Sequence, residues 1–447
     1  MTPFPISEAS PIEHAAPLPA RADAIVIGGG VIGVMTALHL ARAGLKPLLL
    51  EKGRIAGEQS SRNWGWIRAQ GRDLAELPIA LEAQAMWPEL ETQAGGFGLR
   101  QTGTLYLAQT DQDLAAYEDW ANSAAPWQVT TRVLSSAQVA DHLPQATRRW
   151  AGGLYTPTDY RAEPWQTVPK LAQLAVREGV QIIENCAVRG LEMSAGQLSG
   201  LVTEKGTVQT DMACLAGGAW SALFLRRHGV RIPQLSVRAT VAATQSLPDV
   251  HDGGGVDASI AWRRRADGGY TLAASGFHEL FVGPDAMRAA LRFGKHLLED
   301  PLGTRYLPKA PAGYPDAWGT PRRWADDAVS PFERMRVLDP APNAGKLRQM
   351  PRDFAATFPE VGEVRLSSAW AGMIDVLPDV VPIVDRCAAL PGLTIATGMC
   401  GHGFGIGPAF GRIAADLMQG RAPGHDMTRF RLSRFSDGSK LTLGPNI

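Results

Sequence analysis

Apolar residues gather at 24–27, recur at helical spacing from 31 to 43, and gather again at 47–50 before Glu51. Two buried runs around a stretch of period near 3.6 predict a β-α-β unit. Helical periodicity returns over 74–90, 111–121, 135–142 (capped by Ser135 or Ser136) and 164–178, with short extended pieces at 103–107, 153–157 and 180–183. The pattern then changes to short strands at 187–193, 198–203, 207–210 and 212–216, the last running into Gly217-Gly218 and a helix. Residues 236–283 alternate with period two around Gly268-Gly269, which predicts an antiparallel hairpin in a second domain. Pro301, Pro311, Pro315, Pro321 and Pro331 break 285–360 into helical pieces whose order is not legible. A strand at 392–397, a glycine-rich turn at 398–407 and a helix at 408–420 close the pattern.

The first unit carries Gly28-x-Gly30-x-x-Gly33 between its strand and helix, with Glu51 ending the next strand. Each glycine has a mechanical purpose: the first allows the tight turn, the second admits a pyrophosphate to the backbone, and the third lets helix and strand pack closely. The amides of Val31 and Ile32 open the helix toward the phosphates. Glu51 is placed to accept from a ribose hydroxyl, which favours an adenine dinucleotide without a 2′-phosphate; Lys52 follows it. The fingerprint alone leaves NAD and FAD open.

Composition narrows the class. A chain of 447 residues is long for one core, and its hydrophobic share of 45% and charged share of 20% are those of a globular protein. Formal net charge is zero, so no polyanion or nucleic-acid partner is expected, and Arg263, Arg264 and Arg265 read as a solvated hairpin edge. The four cysteines, Cys186, Cys214, Cys387 and Cys400, lack C-x-x-C spacing. That disfavours a zinc site or a disulfide framework, and no metal is expected. Residues 1–21 read as a loose arm, and no run approaches membrane-span length, so a cytoplasmic location, with peripheral membrane attachment left open, is the expectation.

Four separated stretches then resemble one family. They are the glycine fingerprint, Cys214-Leu-Ala-Gly-Gly-Ala-Trp-Ser221, Trp370-Ala-Gly-Met-Ile-Asp-Val-Leu-Pro-Asp379 with Pro382-Ile-Val384, and Thr397-Gly-Met-Cys-Gly-His-Gly-Phe-Gly-Ile406. In order and spacing they resemble the FAD-dependent D-amino-acid oxidase, glycine oxidase and sarcosine oxidase superfamily over most of 22–422. The resemblance implies an α/β fold in which a Rossmann-type FAD-binding domain is interleaved with an α+β substrate domain built on a mostly antiparallel sheet. It divides the chain into an FAD-binding part (22–100, 151–235 and 366–425), a substrate part (101–150 and 236–365) and a tail (426–447). It also implies that Ser60, Ser61, Trp64, Gly65 and Trp66 lie along the flavin, that Val188 touches the adenine side, and that Gly217 lines the cofactor. Gly401, His402, Gly403, Phe404, Gly405 and Ile406 would present backbone amides to the pyrimidine edge, where reduced flavin gathers negative charge. The cysteine to which some sarcosine oxidases attach FAD falls near Gly372, so non-covalent FAD is expected.

The chain departs from the family where many members place a carboxylate-binding arginine after the Trp-x-Gly element; Ile374 and Asp375 stand there. Arg68 is the candidate replacement clamp, Asp375 a candidate partner for a substrate ammonium or for Arg322, Arg323 or Arg336, and Trp66 a candidate wall. The resemblance implies oxidation of the C–N bond of an amino acid or amine by hydride transfer to flavin N5, giving an imine that hydrolyses, with dioxygen or a quinone-linked carrier as electron acceptor. A 2-hydroxy-acid dehydrogenase and a flavin-binding subunit of a larger oxidase are the alternatives.

Overall fold

The computed structural model describes residues 2–294 and 303–444. Its first sheet has six strands in the order Ile383–Arg386, Leu393–Thr397, Ala213–Leu215, Ala24–Ile27, Pro47–Leu50 and Gln181–Ile183. All pair in parallel except the antiparallel edge strand Ile383–Arg386. Ala24–Ile27 and Pro47–Leu50 are buried along their whole length, as continuous apolar runs must be when helices cover a parallel sheet.

The opening helix, Val31–Arg42, and the closing helix, Gly403–Met418, pack against each other. Gly407 and Gly411 make this approach possible. A Cβ on Gly411 would lie 2.5 Å from the Cβ of Met35, and one on Gly407 2.7 Å from a methyl of Val31. The closing helix begins five residues before the expected 408, so the glycine-rich turn is shorter than its composition suggests and Pro408 lies inside the helix. Proline there forfeits one backbone bond, which the packing of a buried helix offsets. The 74–90 helix likewise runs Leu77–Gln93, entered through a proline at its first turn.

The second sheet has ten strands. Its spine is the antiparallel pair Leu235–Thr244 and Leu366–Val376, with Ala239 opposite Gly372. Leu366–Val376, and Gly152–Thr156 farther along, therefore belong to this sheet, whereas the sequence division put both stretches with the FAD-binding part. The expected hairpin is present as Ile260–Arg264 with Tyr270–Ala274. Arg263 corrects its reading as surface: it is 1% exposed and bound to Glu163 through bonds of 3.0 and 2.9 Å. The strand is buried on both faces here: Trp262, on the opposite face, is also 1% exposed. Three strands from Val188 to Gln209 form a separate antiparallel sheet. Among the prolines of 285–360, Pro331 opens a short helix, and Pro301 lies outside the described residues.

The arm is not loose. Ala15 bridges to Ile183 and Arg21 to Gln209, while Glu184 accepts the amides of Glu13 (2.7 Å) and His14 (3.1 Å) on one oxygen and that of Ile55 (2.7 Å) on the other. No described helix is long and apolar enough to cross a membrane.

Candidate active site

An open cavity of about 1250 Å³ of empty space lies against the first sheet. Of the residues singled out from sequence, Gly28, Gly30, Val31, Ile32, Glu51, Lys52 and Ser60 line it on the side of the first β-α-β unit. Val188, Gly217, Asp375, Gly401, Gly403 and Phe404 line the remainder.

The glycines of the fingerprint stand where backbone meets backbone. Gly28 has φ +113°, and a Cβ there would meet the Ala216 carbonyl oxygen at 2.4 Å. A Cβ on Gly33 would fall 1.9 Å from the carbonyl oxygen of Gly28, so helix and turn touch backbone to backbone. The Ser60 hydroxyl accepts from the amide of Val31 at 2.9 Å. Neither the opening nor the closing helix carries an acidic residue in its first turn, so the partial positive charge that each turns toward the cavity is not offset from within the helix. That donor set fits a group with anionic phosphates and an electron-rich ring.

Glu51 is held by two amides, accepting from Gly29 at 2.7 Å and Gly53 at 2.6 Å. Burial nevertheless pushes its carboxyl up from 4.5 to about 7, against the opposing pull of Lys52. Lys52 sits 4.5 Å over the Trp220 ring and bonds Glu58 (2.6 Å) and the carbonyls of Met335 and Arg336 (2.9 Å each). It fastens the 335–336 segment beside the cavity.

The other sequence candidates lie behind this lining. Ser61 is fully buried, its hydroxyl bound to the Ala56 carbonyl at 2.5 Å. Trp64 and Trp66 meet edge to face at 5.1 Å, and Gly65 between them has φ +80° with a Cβ position only 2.4 Å from the Ala162 carbonyl oxygen. Arg68 bonds the Gln70 carbonyl at 2.6 Å and lies 5.1 Å over the Tyr106 ring. Gly405 backs onto this strand, its Cβ position 3.2 Å from the Cα of Ile67, and Ile406 is fully buried.

His402 caps the closing helix by position, not by side chain; its Nδ1 lies 3.2 Å from Oε2 of the buried Glu76. Burial, and then the nearby Arg72, push His402 down to about 4, so its ring is neutral and Nδ1–H donates to Glu76. Asp375 makes no ion pair with Arg322, Arg323 or Arg336. Its Oδ2 accepts from the amides of Gly398 (2.8 Å) and Met399 (3.3 Å), and its backbone oxygen from that of Cys400 (2.9 Å). The acid thus shapes the turn that starts the closing helix, and burial raises its pKa.

Sequence reasoning missed Arg54, Gln59, Asn63, Trp220, Phe332 and Met373 on the cavity wall, and the buried Arg72, Glu76 and Asp159 behind it. Gln70-Gly71-Arg72 follows Arg68 within four residues, and that proximity was the available signal.

Two helix N-termini without acids in their first turns face one cavity beside a parallel sheet, the architecture of an α/β protein of the doubly wound kind. The sequence profile of one such family, described as FAD dependent oxidoreductase (DAO), matches residues 23–417. The chain belongs to that family. It is 30% identical over 273 residues to the mitochondrial sarcosine dehydrogenase of Mus musculus, a match covering 57% of this chain and 29% of that protein, so it spans under a third of that relative's length. Sarcosine oxidase subunit beta of Rhizobium meliloti (strain 1021) is 25% identical over 425 residues, covering 93% of this chain and 89% of the relative. Among solved structures, L-amino acid deaminase from Proteus myxofaciens in complex with anthranilate superposes with TM-score 0.90 and 29% identity over 96% of this chain and 97% of that one.

Proposed function

We propose that the protein is an FAD-dependent oxidoreductase that oxidises the C–N bond of an amino acid or N-methyl amino acid, releasing an imine that hydrolyses. The observation that carries this reading is the pair of acid-free helix N-termini facing one cavity. The names of the relatives support the substrate class. When bound, FAD supplies the two-electron oxidation; the chain supplies position and charge. Gly28, Gly30, Val31 and Ser60 would hold the pyrophosphate, Glu51 the ribose, and Val188 the adenine side. The amides of Gly401 to Phe404 would stabilise charge at the pyrimidine edge. Asp375 keeps that turn in register, and His402, neutral and tied to Glu76, adds no positive charge of its own.

Attachment is proposed to be non-covalent. Glycine at 372 offers no thiol for attachment, and a Cβ there would lie 2.0 Å from Oε1 of Gln59. Cys400, in the turn before the closing helix, is buried, donates to the Gly398 carbonyl at 3.0 Å, and is pushed well above its usual pKa by burial.

Purified protein should show flavin absorption that acid or heat releases into the supernatant, and an anaerobic screen of L- and D-amino acids and N-methyl amino acids should bleach it. Hydrogen peroxide on readmitting air marks dioxygen as acceptor, whereas bleaching that persists in air until a quinone is added marks a carrier. Protein that binds no FAD, or flavin bleached only by hydroxy acids, refutes the reading.

A further inference from the structure

Resting on the amino-acid reading above, we infer that the substrate carboxylate is gripped by Arg72, in a buried polar cluster formed by residues 66–76 and Asp159. The family's usual arginine is absent at Ile374-Asp375, and Asp375 is committed to backbone amides, so the carboxylate needs another partner. Arg72 is 3% exposed and makes no ion pair among the described residues. Its Nε donates to the Arg68 carbonyl at 3.3 Å, and its Nη1 has no partner. A buried guanidinium left in that state is strongly unfavourable, and carboxylate is the group whose geometry it matches.

The surroundings are unsatisfied in the same way. Trp66 Nε1, Gln70 Nε2, Glu76 Oε1 and Asp159 Oδ2 are all buried without partners. Their other atoms are fixed. Asp159 Oδ1 accepts from the Ala69 amide at 2.9 Å and from Gln84 at 2.8 Å, Gln70 Oε1 accepts from Thr156 at 2.8 Å, and Glu76 Oε2 meets His402. The Trp120 indole donates to the Arg72 carbonyl at 3.0 Å and pins the backbone. Arg72 thus stands within electrostatic reach of Arg68, Glu76 and Asp159, in a buried cluster that keeps both donor and carboxylate oxygen atoms without partners, as recognition of an α-amino acid with its carboxylate and amine requires.

Charge and position agree. Burial and then the cation Arg68 push Arg72 down to about 9, against the weaker opposing pull of Glu76 and Asp159, neither of which makes an ion pair with it. An anion between the two arginines would relieve both effects. Through Glu76 the cluster reaches His402, which sits between the cavity-lining Gly401 and Gly403. The gripped carboxylate would therefore lie beside the end of the cavity that the closing helix faces.

The test uses FAD-loaded protein titrated with benzoate, a carboxylate without an amine, and read by the perturbation of flavin absorbance. Arg72→Lys is expected to weaken benzoate about tenfold and Arg72→Met about a hundredfold, with FAD content and melting temperature held close to wild type. Neutral benzamide should bind weakly and equally to all three. Wild type and Arg72→Met binding benzoate alike overturns the inference, as does wild type that benzoate does not perturb at tens of millimolar. If Arg72→Met does not fold, Arg72→Lys is set against Arg68→Met: affinity lost in the second and kept in the first overturns it. Because benzoate binding needs no turnover, an Arg72-dependent titration with no bleaching by any amino acid would refute the proposed reaction and leave the carboxylate grip standing.

Discussion

Replacing Glu51 by Gln tests whether the carboxylate at the end of the second strand is a structural tether or a titrating contact for the cofactor. In the protein without FAD, Glu51 takes two amide donors, yet burial holds its carboxyl at about 7 instead of 4.5. Each pKa unit is worth about 1.36 kcal/mol. Because the folded pKa is the higher one, the folded protein keeps a proton between pH 4.5 and about 7 that the unfolded chain has lost. Its contribution to stability is therefore full below pH 4.5 and is lost as pH rises through 7, by about 3 kcal/mol at most since the carboxyl faces an open cavity. Glu51→Gln keeps an acceptor for one amide and removes the titration. Urea unfolding of the FAD-free protein at pH 5 and pH 8 should show wild type losing about 1–3 kcal/mol relative to the Gln variant, a range set by the same pKa arithmetic. With FAD the sign reverses, because ribose hydroxyls donate best to the ionised acid. Wild-type FAD affinity should rise about tenfold between pH 6 and 7.5 while the Gln variant stays flat, following tenfold per pH unit below the pKa. Parallel pH profiles for the two proteins, in both experiments, would refute the assignment.

Gly33→Ala puts a methyl 1.9 Å from the Gly28 carbonyl oxygen, where only backbone can yield, so the flavin-to-protein ratio should collapse with a loss of about 1–3 kcal/mol in stability; full flavin content contradicts it. Removing residues 1–13 strips Arg54 of its bonds to the carbonyls of Glu8 and Ser10 and Glu184 of the Glu13 amide, freeing the 53–57 loop beside the cavity. Equilibrium dialysis should show FAD bound about tenfold more weakly, the equivalent of about 1.4 kcal/mol, and unchanged retention rejects the arm as a clamp. Asp375→Ala leaves the buried amides of Gly398 and Met399 without their acceptor, at about 1–3 kcal/mol for each unsatisfied donor. Melting temperature and FAD affinity should fall together, and Asn, which keeps one acceptor, should fall between. All four cysteines are buried, and burial takes Cys214 up to about 12, so native protein should resist a thiol reagent at pH 8 that labels it at once in urea.

What could be read from the sequence was whatever a short stretch enforces on itself. Gly28, Gly30 and Gly33 serve contacts within one turn and one helix, and the apolar runs beside them admit one arrangement of strand and helix. The large sheet was legible as a hairpin but not as a spine, because the register of Ala239 against Gly372 joins strands more than a hundred residues apart. Arg263 shows the limit most sharply: three successive arginines suggest solvent, and only Glu163, a hundred residues away in sequence, draws the first of them inside. The same holds where the chemistry is sited. Glu76 meets His402 across 326 residues, and Asp375 folds back on amides that its composition gives no reason to expect. Polar residues that face inward leave no periodic trace of their partners. Arg72 is the consequence of that rule: in sequence it is one arginine in a turn, and in the fold it is a buried cation with no ion pair among the described residues and an unpartnered Nη1. A buried charge without an ion pair is costly, which is why the unpartnered guanidinium of Arg72 bears on the substrate more directly than the satisfied hydrogen bonds around Asp375 do.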